Sequence, residues 1–151
     1  MNDDFVELLH ALLDARARFL IVGAHAMAVH GIPRATQDLD VLVEPTAENA
    51  ERVWTALVAF GASVASLGVT RHDLERPGTV VQLGLPPRRI DLLTGITGVT
   101  FGDAWRGRVE HEVRGRPVPF IGREALVANK RAVGRRKDLT DLEALGELPP
   151  T

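Results

Sequence analysis

A chain of 151 residues is long enough to bury a hydrophobic core, and we expect a single domain over residues 1–151. Hydrophobic residues make up 45% and charged residues 25%, as in ordinary globular proteins, and a net charge of −2 does not demand a nucleic-acid partner. The absence of cysteine excludes disulfides, thiolate metal sites and cysteine nucleophiles.

Two features of the sequence bear on location. No apolar run is long enough to cross a bilayer. The first four residues, Met1-Asn2-Asp3-Asp4, are acidic, whereas a signal peptide begins with a basic segment. We therefore expect a cytoplasmic protein without a membrane partner.

The cations are unevenly chosen, with 16 arginines and only two lysines, Lys130 and Lys137. In a chain so rich in arginine, a lysine indicates a position that requires a compact ammonium group and not the planar guanidinium of arginine. Two examples also fit chance, so the bias by itself assigns neither residue a role.

The first 61 residues predict alternating helices and strands, bounded by recognisable start and stop signals. The predicted elements are, in chain order, a helix capped by Asp3 and Asp4, a strand over 19–22, a helix over 24–30, a loop over 34–37, a strand over 38–43 and an amphipathic helix from 45 to 60. Gly23 follows the first strand and Gly61 the last helix, as a turn and a helix end require.

The rest of the chain predicts shorter elements. Residues 62–76 fit no single element, although Leu74 and Glu75 suit a short helix. Beyond them we predict strands over 79–85 and 88–93, a helical piece around Trp105, hairpin strands over 109–113 and 117–121, helices over 123–133 and 138–145, and a loose tail at Pro149-Pro150. This order predicts an α/β fold of the α+β type, with helices packed on a sheet. Periodicity does not distinguish a parallel, an antiparallel and a mixed sheet.

The segment Asp38-Leu39-Asp40-Val41-Leu42-Val43 places two carboxylates on one predicted strand. Residues two apart on a strand point to the same face, so Asp38 and Asp40 project together. Their like charges raise each other's cost of ionisation, and a divalent cation relieves that repulsion. Mg²⁺ takes oxygen ligands, usually one or two carboxylates together with substrate phosphates. The pair therefore predicts a metal site for phosphates.

An Asp-x-Asp pattern is short and common, and taken alone it fits two solvated carboxylates at a strand end. Here the pattern follows a strand that ends in glycine, a small helix and an Arg-x-Thr loop. This ordered set of features favours the metal site over the solvated pair.

The segment Val22 to Gly31, followed by Arg34-Ala35-Thr36-Gln37-Asp38-Leu39-Asp40, resembles the signature of the DNA polymerase β-like nucleotidyltransferase superfamily. More narrowly, it resembles the minimal bacterial members, including AbiEii-type toxins and small antibiotic-modifying transferases. The family pattern is a Gly-Gly or Gly-Ser turn after a strand, then a helix, Asp-x-Asp and a third acid on a later strand. The resemblance is good over residues 19–43 and moderate beyond them.

The resemblance implies a polymerase β-like fold in a single nucleotidyltransferase-like domain: a mixed β-sheet flanked by helices, with a C-terminal hairpin and helices. It implies transfer of a nucleoside monophosphate from a nucleoside triphosphate, with ATP as the expected donor, to an acceptor hydroxyl, and release of pyrophosphate. Mg²⁺ or Mn²⁺ is the expected cofactor. The acceptor stays open among a small molecule, a tRNA end and a protein hydroxyl, and the AbiEii-like branch adds a cognate antitoxin as a partner.

The family's glycine turn places backbone N–H groups against the triphosphate, near a helix N-terminus where anions are favoured. Gly23 matches this turn, whereas Ala24 stands where a second glycine or a serine is expected. The resemblance implies that both residues bind nucleotide, Ala24 through its N–H alone. Without Asp38 and Asp40, Gly23 would indicate no more than a strand-to-helix turn.

Asp91 is the candidate third acid, because it is a lone carboxylate in the apolar strand segment Arg89-Ile90-Asp91-Leu92-Leu93. A buried aspartate is costly unless it is paired or bound to a metal. By resemblance, Asp91 joins Asp38 and Asp40 as a metal ligand and catalytic residue. The same resemblance implies that Asp91 acts as general base toward the acceptor hydroxyl.

Arg34 and Thr36 lie just before the acidic strand and match the family's Arg-x-Thr. The resemblance implies that they contact phosphate or acceptor in the nucleotide site. A loop arginine beside a capping threonine fits the sequence equally well.

Lys130 and the run Arg135 to Asp141 resemble the lysine and Lys-Asp motifs in the C-terminal helices of the AbiEii-like branch. We predict that Lys130 neutralises a phosphate as a point charge, with an exposed helix residue as the alternative. Asp138 and Asp141 fit equally the N-cap of the last helix and its capping partner.

Two other functions fit the same residues. The domain could bind nucleotide without turnover, for instance as a sensor, and Ala24 favours this alternative. It could also act by protein contact as one half of a toxin–antitoxin pair, which does not exclude catalysis.

Overall fold

The computed structural model describes residues 1–62 and 68–147. The helices are α1 (Asp3–Asp14), α2 (Gly23–Val29), α3 (Ala47–Phe60), α4 (Phe101–Arg106), α5 (Arg123–Val133) and α6 (Arg136–Ala144). The strands are β1 (Phe19–Val22), β2 (Asp38–Val43), β3 (Val80–Leu83), β4 (Arg89–Leu93), β5 (Val109–Val113) and β6 (Arg116–Phe120). None of the helices in the described ranges has the length and apolar character needed to cross a membrane.

The six strands form one mixed sheet in the order β3-β4-β2-β1-β6-β5. β1 runs antiparallel to β2 and parallel to β6, and β2 runs parallel to β4. The edge strands β3 and β5 pair antiparallel with β4 and β6. The mixed sheet with its flanking helices confirms the predicted α+β fold. Because β1, β2 and β4 are adjacent, the glycine turn and the two acid-bearing strands lie side by side.

The start of α1 differs from the prediction. The side chain of Asn2 accepts a hydrogen bond from the N–H of Phe5 at 3.0 Å, so Asn2 is the N-cap. The prediction that Asp3 and Asp4 cap this helix is wrong. Both lie inside the first turn, where acidic side chains complement the helix dipole.

The long helix α3 ends at Phe60 as predicted and begins at Ala47, two residues after the predicted start. The Thr46 hydroxyl accepts a hydrogen bond from the N–H of Asn49 at 3.2 Å, and Gly61 ends the helix with a φ of 88°. A 3-10 helix over Arg71–Glu75 buries Leu74 and confirms the short helix predicted there. Residues 63–67 of the ambiguous segment and the Pro149-Pro150 tail lie outside the described residues.

The centre of the sheet explains why one face of β2 is available for chemistry. All four residues of β1 are buried, as in a strand covered on both faces. On β2, Leu39 and Val41 are fully buried, whereas Asp38 and Asp40 are half-buried on the opposite face. The period-two alternation of the sequence therefore separates a core face from an acidic face.

Candidate active site

The strand register brings the predicted carboxylates together. β2 pairs with β4 so that Asp38 lies opposite Arg89 and Asp40 lies opposite Asp91. Paired residues of neighbouring strands point to the same face, as do residues two apart on one strand. Three acids and one arginine therefore share one face near the middle of the sheet.

Gly23 lies directly beside this acidic group. Val22, at the end of β1, pairs with Asp40, so the turn into α2 passes the Asp40 carboxylate. Gly23 has a φ of 70°, and a Cβ built on it would collide with Oδ2 of Asp40. Glycine satisfies both the backbone angle and the lack of space. Ala24 follows as the second residue of α2 and lines the same cleft.

Asp40 lies in surroundings that disfavour its negative charge. Burial raises the pKa of Asp40 above its ordinary value, and the charges of Asp91 and Asp38 raise it further. The positive charges of Arg89 and Lys137 offset part of the rise. A cation bound at this carboxylate would stabilise its ionised form.

Asp38 adds an unsatisfied oxygen to the same place. Its Oδ1 is buried and has no hydrogen-bond partner among the described residues. A buried acceptor without a partner is rare and calls for an explanation, such as an ion. Together with the raised pKa of Asp40, this oxygen fits a hard divalent cation such as Mg²⁺ or Mn²⁺ held by the two carboxylates.

Asp91 has a partner within its own strand. Its two carboxylate oxygens accept hydrogen bonds from Nε and Nη2 of Arg89, at 3.1 and 3.0 Å, in a bidentate pair. Asp91 is buried, as predicted, and its charge is paired with Arg89. Its roles as metal ligand and catalytic residue stay predictions. In the parts of the chain that the structure describes, no group of three or more acidic, histidine or cysteine side chains is arranged to hold one metal ion.

A cleft of about 540 Å³ is lined by Asp38 and Asp40 together with the turn into α2, the following loop and the helices α5 and α6. The predicted nucleotide-binding residues that line it are Gly23, Ala24, Arg34, Thr36 and Lys130. Asp91 is not among the lining residues. The structure thus brings all five predicted nucleotide-binding residues to one cleft, and Asp91 does not line that cleft.

Lys130 faces the cleft with its charge already paired. Its Nζ lies 2.7 Å from an oxygen of Asp141 and 3.6 Å from an oxygen of Asp138. All three side chains are buried. The alternative that Lys130 is an exposed helix residue is therefore wrong, and a direct contact between Lys130 and phosphate stays a prediction.

Asp138 is not the N-cap of α6 as predicted, because the helix begins at Arg136 and Arg135 is its N-cap; Asp138 is the third residue of the helix and caps it from there. The Asp138 carboxylate accepts hydrogen bonds from the N–H of Arg135 at 3.1 Å and from its Nε at 2.8 Å. Burial alone raises the pKa of Asp138, but the hydrogen bonds from Arg135 and the charge of Lys130 outweigh it and lower the pKa. The predicted role of Asp141 as a capping partner is also wrong, since Asp141 binds Lys130 and Arg34.

Arg34 and Thr36 shape the loop at the cleft. Arg34 forms an ion pair with Asp141, which ties the loop to α6. The Thr36 hydroxyl accepts a hydrogen bond from the N–H of Asp38 and donates one to its carbonyl, both at 3.1 Å, and so holds the start of β2. The contacts of these residues with phosphate or acceptor stay a prediction.

Three basic residues at the site, Lys137, Arg135 and Arg89, were not among the predicted site residues. Lys137 is exposed, lines the cleft and acts on Asp40 through its charge. Ion pairs in this region engage Lys130 and Arg135 and leave Lys137 without one among the described residues. The rarity of lysine in the sequence was the available signal for Lys137. For Arg89 it was the position two residues before Asp91, on the same strand face.

Comparison with known proteins supports the fold. No family model matches the chain, and no curated protein matches it. Among solved structures, the chain is similar to a putative nucleotidyltransferase from Thermotoga maritima, with a TM-score of 0.59 and 14% sequence identity. The match covers 95% of this chain and 93% of that chain. A likeness at this identity shows that the two chains share a fold and leaves activity to be argued from the site.

Proposed function

We propose that this protein is a metal-dependent nucleotidyltransferase that moves a nucleoside monophosphate from a nucleoside triphosphate to an acceptor hydroxyl and releases pyrophosphate. The observation that carries the proposal is the pair Asp38 and Asp40. Asp38 has a buried oxygen without a hydrogen-bond partner among the described residues, Asp40 has a raised pKa, and both line the cleft. A divalent ion that also binds phosphates resolves both conditions.

The charges that face the cleft suit a triphosphate bound with a cation. The buried acids of α6 are paired with basic side chains from α5, from the N-cap residue of α6 and from the loop before β2. Arg34, Lys130 and Arg135 bring three positive charges to these two acids, which leaves that group net positive. Among the described residues, Asp38, Asp40 and Lys137 line the cleft without an ion-pair partner. With an ion on the two carboxylates, the cleft would present positive charge to a polyphosphate from two sides.

In the proposed reaction, the acceptor oxygen attacks the α-phosphorus and forms a new P–O bond. The bond from that phosphorus to the bridging oxygen breaks, and pyrophosphate leaves. When bound, the ion would neutralise charge on the phosphates and orient the leaving group. Lys137 contacts the phosphates as a point charge. Asp91 is the candidate general base that accepts the acceptor's proton, a step that requires Arg89 to release this carboxylate and the carboxylate to reach the cleft.

The test is transfer of label from each of the four nucleoside triphosphates, labelled at the α-phosphate, in the presence of Mg²⁺ or Mn²⁺ and a cell extract. We expect transfer that disappears in Asp40→Asn and persists in Asp103→Asn, an exposed acid on α4. Treating the labelled product with ribonuclease or protease, or filtering it by size, then identifies the class of acceptor. Undiminished transfer in Asp40→Asn would refute the site.

Nucleotide binding without turnover is the second candidate function. It is favoured by Ala24, which stands where a second glycine or a serine is expected, and by the hydrogen bonds from Arg89 to both oxygens of Asp91. Isothermal titration separates it from the enzyme. If the triphosphate binds in a manner that depends on Mg²⁺ and on Asp40, and no pyrophosphate is released in extract, the protein is a nucleotide-binding module and not an enzyme.

A further inference from the structure

The acidic face of the sheet is only partly available to a metal ion. Asp38, Asp40 and Asp91 share this face with Arg89, and both oxygens of Asp91 are engaged by the guanidinium. A bidentate fork matches the geometry of one carboxylate and occupies one lone pair of each Asp91 oxygen, which leaves that carboxylate less capacity for a metal ion. Asp38 and Asp40 line the cleft, and neither Asp91 nor Arg89 is among its lining residues.

We propose that Arg89 takes the place of a second cation: it neutralises Asp91 and limits the nucleotide-free protein to one divalent ion, bound by Asp38 and Asp40. The inference rests on the proposed function and specifies the metal content of the same site. It makes Arg89 a positioning residue, since it acts on the metal through Asp91.

The position of Arg89 favours this role. The Arg89 side chain is 34% exposed and that of Asp91 is 12% exposed, so the arginine is the more solvent-accessible member of the pair. Arg89 is also the register partner of Asp38, and its charge acts on Asp40. The charge of Arg89 repels a divalent ion that approaches Asp91, and this repulsion opposes binding.

An ion pair that served only to stabilise the fold would have a different consequence. Breaking it would lower stability and leave the number of bound metal ions unchanged. If Arg89 occupies a cation position, its removal exposes a carboxylate directly opposite Asp40 and so changes metal binding itself. The number and affinity of bound ions therefore separate the two roles.

The experiment is titration of the nucleotide-free protein with Mn²⁺, with the free ion measured by electron paramagnetic resonance. Wild type is expected to bind one ion per chain, and Asp40→Asn none at the same site. Arg89→Gln is expected to bind a second ion, or to bind the first about tenfold more tightly. Arg88→Gln is the matched control, because Arg88 is the neighbouring arginine, is exposed and pairs with Asp4 at 3.0 Å.

Each outcome bears on one claim. An Arg89→Gln protein with native circular dichroism and wild-type Mn²⁺ binding would overturn the role of Arg89, while one Asp40-dependent ion in wild type would still support the proposed function. A wild-type protein without an Asp40-dependent ion would overturn the proposed function itself. Should Arg89→Gln fail to fold, Asp91→Asn decides the question: it should keep one ion at saturation, and loss of that ion would show that Asp91 is already a ligand.

Discussion

Replacing Asp40 by asparagine changes the electrostatics of the candidate site with little change in shape. In the folded protein the pKa of Asp40 is raised by burial and by the charges of Asp91 and Asp38. The fold therefore favours the protonated form, and this contribution to stability is lost as the pH rises through the raised pKa. Asparagine resembles the protonated form at every pH. At neutral pH and without metal, Asp40→Asn should be more stable than wild type.

The size of the effect follows from the strand register. Asp40 and Asp91 are partners on adjacent strands, which lie about 5 Å apart. Two unit charges at that distance repel by roughly 1 kcal/mol in a water-like dielectric and about 3 kcal/mol at an effective dielectric constant of 20. Arg89 and Lys137 cancel part of this repulsion. We therefore expect a gain of about 1 kcal/mol, or roughly 2–4 °C in Tm for a chain of this length.

The assay is thermal unfolding of both proteins in a chelating buffer at pH 7.5 and pH 4.5, followed by titration with Mn²⁺. The advantage of Asp40→Asn should shrink at pH 4.5, where wild-type Asp40 is more often protonated. Added Mn²⁺ should raise the Tm of wild type and leave the variant unchanged, since an ion that binds only the native state stabilises it. A metal-free variant less stable than wild type at pH 7.5 would show that Asp40 is not electrostatically strained.

Two further substitutions test the packing around the cleft. Gly23→Ala should lower the free energy of unfolding by roughly 1–3 kcal/mol through its φ of 70°, and also weaken Mn²⁺ binding because its Cβ displaces Asp40. Gly115→Ala is the control: Gly115 has a φ of 85° and open space where a Cβ would lie, so this variant should lose stability to the same backbone strain and keep wild-type Mn²⁺ binding. Lys130→Met should cost about 3 kcal/mol in urea denaturation, because it removes the ammonium from buried Asp141. Lys137→Met, at an exposed position, should change stability by less than about 0.5 kcal/mol, and equal effects of the two lysine variants would contradict the buried pair.

Local patterns in the sequence predicted much of the fold. The alternation from Asp38 to Val43 separates the acidic face from the core face, because side chains of a strand alternate whatever lies around it. The ends of α3 were predictable for the same reason, since a cap is a contact between residues three apart. The caps of α1 and α6 were assigned to the wrong residues, because several polar residues near each start compete for the same role.

In the candidate site, too, local features were predictable from the sequence and long-range contacts were not. The sequence by itself determined that Asp38 and Asp40 project together and that a glycine turn precedes them, since both features depend on neighbours in the chain. The tertiary structure decided which charges are free. It placed Asp91 opposite Asp40 through strand pairing, and it neutralised Asp141 with Arg34 from across the chain. Whether a charged group serves a ligand or a neighbour depends on burial and on partners distant in sequence, and no local pattern contains that information.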